Sequence, residues 1–353
     1  MKRRALAALA VVSGVATGHS GPVGAQQTLS MKELESGTTA VLQAVSAVDE
    51  HVVWVSGHEG VVLRSLDGGH SWDRRRVQSL DSLEFRDVHG FDADRAVILS
   101  SGPGARSRIY RTDDGGRSWS LNWVNGEPGG FYDCLDFWDD RPGLAYGNAV
   151  GGELRVLLTE DGGVTWSIVS ADRLPAALDG EGGFAASGTC VRTGVDGRGW
   201  IATGAGTRSR ILRTRDFGAS WDSADLPIVA GEGAGAFTVV FLDVDRGIVL
   251  GGDLRAPDEE SVNVAVTADG GATWSRGVSP PFSGAVYGTA LLRSGRGVVM
   301  AVGPGGLALS EDVARSWRAL DDRGFWAVGS AGGTAWAVGT AGRIVRVTLE
   351  SSG

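Results

Sequence analysis

The stretch Ser65-Leu-Asp67-Gly-Gly69-His-Ser71-Trp72 decides the fold, because the chain repeats it. It returns as Thr112-Asp-Asp114-Gly-Gly116-Arg-Ser118-Trp119, as Thr159-Glu-Asp161-Gly-Gly163-Val-Thr165-Trp166 and as Thr214-Arg-Asp216-Phe-Gly218-Ala-Ser220-Trp221. Two more copies follow, Thr267-Ala-Asp269-Gly-Gly271-Ala-Thr273-Trp274 and the degraded Ser310-Glu-Asp312-Val-Ala314-Arg-Ser316-Trp317. The central Asp residues recur every 43 to 55 residues or so, which is the period of a propeller or solenoid unit.

Outward from each copy lie short apolar runs bounded by Gly turns, such as 52–56 and 61–64 before the first copy. Alternating runs of this length read as strands, and Asp-Gly is hairpin chemistry. Each unit therefore parses as an inner strand A, strand B, strand C, the motif as the C-to-D hairpin, and a strand D opened by the Trp. That is one four-stranded propeller blade. A seventh unit, 324–349, supplies three strands and stops, while residues 28–35 precede the first strand A as an unpaired strand D. The expected fold is all-β: a seven-bladed β-propeller of four-stranded antiparallel blades, its ring closed by the N-terminal strand completing the C-terminal blade. Blades are expected at about 38–78, 83–124, 130–170, 184–228, 236–279, 285–320 and 324–349, within one domain over 26–353.

Composition agrees. Gly numbers 56 of 353 residues, about twice its usual share. The net charge of -9 excludes the cationic face that a nucleic-acid backbone requires. Residues 1–25 read as a secretory signal, with Lys2, Arg3 and Arg4 ahead of an apolar stretch and Val23-Gly24-Ala25 as cleavage site. That stretch is too short to span a bilayer, and no second one follows, so an exported chain, periplasmic or extracellular and monomeric, is expected.

The repeated Asp residues lack the ligand spacing of a calcium loop. A site repeated six times on a rim reads as fold grammar: each Asp accepts N–H bonds in its own hairpin, and each Trp packs between blades. These motifs resemble the Asp-box repeats of sialidases and related propellers. Seven units behind an export signal resemble more closely the photosystem II assembly and stability factor-like propellers. That resemblance covers the mature chain and implies a non-enzymatic helper of membrane-complex assembly, with a protein partner and no cofactor. The sixth copy departs from the pattern at Val313-Ala314, which questions the geometry of that turn.

A sialidase would need a Tyr nucleophile with a Glu partner, and only Tyr110, Tyr132, Tyr146 and Tyr287 are present. No His-Glu-x-x-His and no nucleophile elbow occurs, and Gly231 to Gly235 leads into a strand rather than a phosphate-binding helix. No catalytic or metal residue is assigned; a glycan-binding or glycan-cleaving propeller is the alternative. Cys134 and Cys190 fall at matching places in strands A of consecutive blades, 132–137 and 187–192. Export permits a disulfide. Bridged Cα atoms must lie within about 7 Å, a separation that strands around a channel exceed, so two buried thiols are expected.

Loops longer than the repeat requires point to function. The B-to-C loop from Gly251 to Val262 carries Asp253, Arg255, Asp258, Glu259 and Glu260, and the D-to-A segment from Ser170 to Gly183 carries Glu181. Both belong to the face opposite the motifs. Tyr132, Asp133, Ser187, Arg208, Arg210 and Tyr287 lie beside them, giving a candidate partner-binding region suited to a protein hot spot. Phe131, Phe184 and Trp326 are expected in the core between blades.

Overall fold

The computed structural model describes residues 28–77, 82–257, 263–293 and 297–350. It holds seven four-stranded antiparallel sheets, each built from sequence neighbours except the last, where the order is Thr28–Leu34, Ile344–Glu350, Thr334–Val338 and Ala327–Ala331. The ring closes there: Thr28 pairs with Glu350 and the register runs unbroken to Leu34 opposite Ile344. Closure by the N-terminal strand removes the open edge that a three-stranded last blade would expose. Among the described residues no helix is long and apolar enough to cross a membrane.

The middle strands hold the molecule together. Val53–Gly57, Val61–Ser65, Val298–Gly303 and Thr334–Val338 are buried along their whole length, because each blade face packs on the next blade. Such strands read as continuous apolar runs, and each buried Val or Leu contributes about 1.5–3 kcal/mol. Indole N–H groups tie blade to blade: Trp54 Nε1 donates to Asp92 O (2.9 Å), Trp200 Nε1 to Gly270 O (3.1 Å) and Trp336 Nε1 to Gly68 O (3.0 Å).

The six repeated turns carry one bonding scheme. In the first, Ser65 Oγ donates to Asp67 Oδ1 and accepts the N–H of Gly69, while Asp67 accepts both the N–H and the hydroxyl of Ser71. The last copy keeps this scheme around Asp312 although Val313 and Ala314 stand where Gly is usual. Both adopt left-handed backbone, φ 62° and 58°, so the turn is retained with two residues in a region that favours Gly.

Strands A line the channel: Leu42–Ala47, Phe85–Gly90, Tyr132–Phe137, Val191–Thr193, Ala234–Phe241, Gly288–Arg293 and Ala327–Ala331. Four of them slip register by one residue near the start, leaving Gln43, Arg86, Asp133 and Phe237 as the extra residue. Bulges of this kind re-aim a side chain, here at the upper end of the channel, where strands A begin. The repeated turns lie at the lower end.

Candidate functional site

Blade 4 departs from its siblings. Its strand A begins only at Val191, and the preceding residues, Phe184 to Cys190, lie across the channel. Blade 1 reaches this segment through Gln43, whose Nε2 donates to Ala185 O (2.9 Å) while its Oε1 lies 2.7 Å from His58 Nε2. Toward blade 6, Ser187 Oγ donates to Tyr287 O (2.6 Å); toward blade 5, Thr189 Oγ1 donates to Thr238 Oγ1 (2.7 Å). Toward blade 2, Gly188 takes φ +72°, and a Cβ there would stand 2.1 Å from Asp87 Oδ1. Only Gly fits both the backbone and the space. Toward blade 3, Cys190 is disulfide-bonded to Cys134, with Cα atoms 5.9 Å apart. The expected pair of thiols is thus corrected: the chain before Val191 is not a strand, and its crossing brings Cys190 within bridging distance.

Above this segment the upper end is filled. Phe184 stacks on Phe237 at 3.9 Å, Phe237 lies 6.2 Å from Tyr287, and Tyr287 stacks on Trp326 at 4.9 Å, an arc over blades 4 to 7. Phe184 and Trp326 are half-buried in this arc. Most of the region singled out from sequence lies around it with its polar groups already engaged. Glu181 is buried and holds Arg210 bidentately, Nε to Oε1 at 2.9 Å and a second nitrogen to Oε2 at 2.5 Å, and also accepts from Thr203 Oγ1 and Leu178 N. Arg208 pairs with Asp225 on the surface (2.7 Å), and Arg255 with Glu232 (2.7 Å) while its N–H donates to Asp253. Asp258, Glu259 and Glu260 lie outside the described residues. Tyr132 and Asp133 are buried; the Tyr132 hydroxyl and Asp133 Oδ2 have no hydrogen-bond partner among the described residues. Burial pushes the Asp133 carboxyl well above its ordinary range, against the pull of Arg86, and raises the Tyr132, Tyr146 and Tyr287 hydroxyls as well.

Below the crossing segment the channel opens into a cavity of about 700 Å³, with Ser187, Gly188 and Thr189 at its inner end. Its charged wall comes from strands A of blades 2 to 4: Asp87, His89, Asp136 and Arg192. Its apolar wall comes from blades 5, 6 and 1: Val240, Leu242, Ala290, Leu291 and Val45. His89 Nδ1 lies 3.1 Å from Asp136 Oδ1. Asp136 Oδ2 accepts the N–H and hydroxyl of Thr193 (2.9 and 3.1 Å). Burial raises the Asp136 pKa, but His89, Arg192 and the Thr193 N–H together outweigh it and leave it below the ordinary value. Asp87 is fully buried, and burial drives its carboxyl well above that value even though the N–H groups of Val88 and Leu135 donate to it. Arg192 makes no ion pair or hydrogen bond with any described residue.

Sequence reasoning looked to the opposite face and missed this wall. A signal was present: His89, Asp136 and Arg192 each stand two residues after Asp87, Cys134 and Cys190, the same place in three consecutive units. Aligning strands A against one another would have gathered them.

No family model matches the sequence, and no curated protein matches it. Solved structures do share the fold. YCF48 bound to a D1 peptide superposes with a TM-score of 0.60 at 16% identity, covering 91% of this chain and 97% of that one. YCF48 from Cyanidioschyzon merolae gives 0.62 at 17% identity, over 90% and 98%. Virginiamycin B lyase from Staphylococcus aureus gives 0.65 at 12% identity, over 92% and 100%. The chain is therefore a seven-bladed propeller of an architecture shared by a peptide-binding protein and by an enzyme.

Proposed function

We propose that this protein is a non-enzymatic scaffold that binds a protein partner at the lower end of its channel, seating a segment of the partner in the cavity there. We further propose that it is exported and serves the assembly or stability of a membrane or envelope complex. The observation that carries the reading is the cavity itself. About 700 Å³ closed at its inner end, with one apolar and one charged wall, is the size and character of a binding site rather than of a through-pore. The peptide seen on YCF48 supports a propeller of this form in that role. The test is crosslinking and affinity capture of the tagged protein from its own envelope fraction, beside a variant with the cavity mouth blocked. Val195 borders the cavity and is 64% exposed, so Val195→Trp obstructs entry without touching the core. One dominant protein, lost in the variant, is expected. Retention of envelope polysaccharide without an enriched protein would favour the glycan alternative.

A further inference from the structure

The free polar groups in the lower cavity are all of one kind. From this we infer, resting on the reading of that cavity as the binding site, that its occupant carries a carboxylate joined to an apolar body. The acceptors along the wall are already in use. Asp87 takes the N–H groups of Val88 and Leu135, and Asp136 takes those of Phe137 and Thr193 together with the Thr193 hydroxyl and His89. Asp243 takes two N–H groups of its own turn and Arg246 Nε. The hydroxyls are committed as well: Ser46 Oγ accepts from Gly90 N, Ser330 Oγ donates to Leu291 O and Ser187 Oγ to Tyr287 O.

What remains are donors: Arg192, whose charge acts on Asp87 and Asp136 but which hydrogen-bonds no described residue, Arg198 Nε, and His89 Nε2, which no described residue bonds. A cationic ligand would compete with bonds that the fold already makes. An anion meets a guanidinium fork, which matches two carboxylate oxygens. The facing wall presents Val240, Ala290 and Leu291, and its one carboxylate, Asp243, is already bonded within its own turn, so the rest of the ligand is apolar. A free organic acid and the C-terminus of a polypeptide share this chemistry.

Titration calorimetry at fixed ionic strength tests it with two matched pairs, 4-phenylbutanoate against 4-phenylbutanamide, and Gly-Val-Leu against its C-terminal amide. Hydrogen bonds to a charged group imply that an acid binds at least about tenfold more tightly than its amide. Arg192→Gln should bring the acid down to the amide's affinity, and Val195→Trp should abolish both. Preference shown only by the phenylbutanoate pair assigns the ligand to free acids, and only by the peptide pair to polypeptide ends. Equal binding of acid and amide, no binding by either pair, or an acid affinity that Arg192→Gln leaves unchanged overturns the inference. These outcomes leave the cavity reading standing, which fails separately if partner capture is insensitive to Val195→Trp.

Discussion

At the upper end of the channel Glu181 and Arg210 are both buried and satisfy each other; at the lower end Arg192, on the same blade, hydrogen-bonds no described residue. Strands A run from one end to the other, but the upper pair comes from a loop and from the strand Arg210–Thr214. The upper end commits Glu181, Arg210 and Gln43 to holding loops and the crossing segment and leaves only the enclosed Tyr132 hydroxyl and Asp133 Oδ2 unbonded, while the lower end leaves donors free beside an open cavity. Charge, aromatic content and loop length, which drew attention to the upper face, do not distinguish these cases. The distinguishing property is whether each buried polar group already has its partner.

The crossing segment carries the largest expected effect. Replacing Cys134 and Cys190 by Ser together opens a loop of 56 residues, for which chain entropy implies a loss of about 4 kcal/mol in urea unfolding. A loss below about 1 kcal/mol would mean that the other contacts of Phe184 to Cys190 fix it alone. Next comes the upper ion pair: Glu181→Gln leaves Arg210 buried without its counter-charge and should cost about 3 kcal/mol. Arg208→Ala, which opens an exposed pair, should stay within about 0.5 kcal/mol by the same measurement.

The rim of the lower end responds to acid. Asp67 and Asp269 are held at about 2, against an ordinary 3.8, first by the hydroxyls of Ser71 and Thr273. Their carboxylates are favoured in the folded state, so their contribution is complete above about pH 4 and disappears as pH falls toward about 2. Tm should fall across that window, and less steeply in Asp67→Asn. Smaller still, Ala314→Gly relieves a left-handed Ala but removes a buried methyl and adds chain entropy, so the terms nearly cancel and stability should stay within about 0.5 kcal/mol of the parent in urea. One substitution separates the two ends most sharply. Arg192→Gln breaks no hydrogen bond to a described residue but withdraws a charge that favours the ionised Asp136, so Tm should fall by no more than a few degrees while acid binding is lost.

Much of the fold was legible because its turn chemistry is local. Ser or Thr, Asp and Gly-Gly in one segment contain every group that the hairpin bonds, and six copies fix a repeat whose blades must stack to bury their faces. The unpaired strand at residues 28–35 was likewise readable, since a last blade of three strands needs a fourth. The site was not legible in this way. His89, Asp136 and Arg192 read as single polar residues in three apolar strands, and nothing local reveals that they meet on one wall of a cavity.

The sequence by itself determined the architecture, the number of blades and the closure of the ring, because periodicity and turn residues act over a few positions. Only the tertiary structure decided that Phe184 to Cys190 leaves blade 4 to cross the channel, that Cys134 and Cys190 join, and that Arg192 borders a cavity with no hydrogen bond to a described residue. Those outcomes depend on which side chains from distant blades arrive at one place: Gln43 at Ala185, Asp87 at Gly188, Ser187 at Tyr287. A repeat specifies its own unit, and the space where seven units meet is defined only once all of them are assembled.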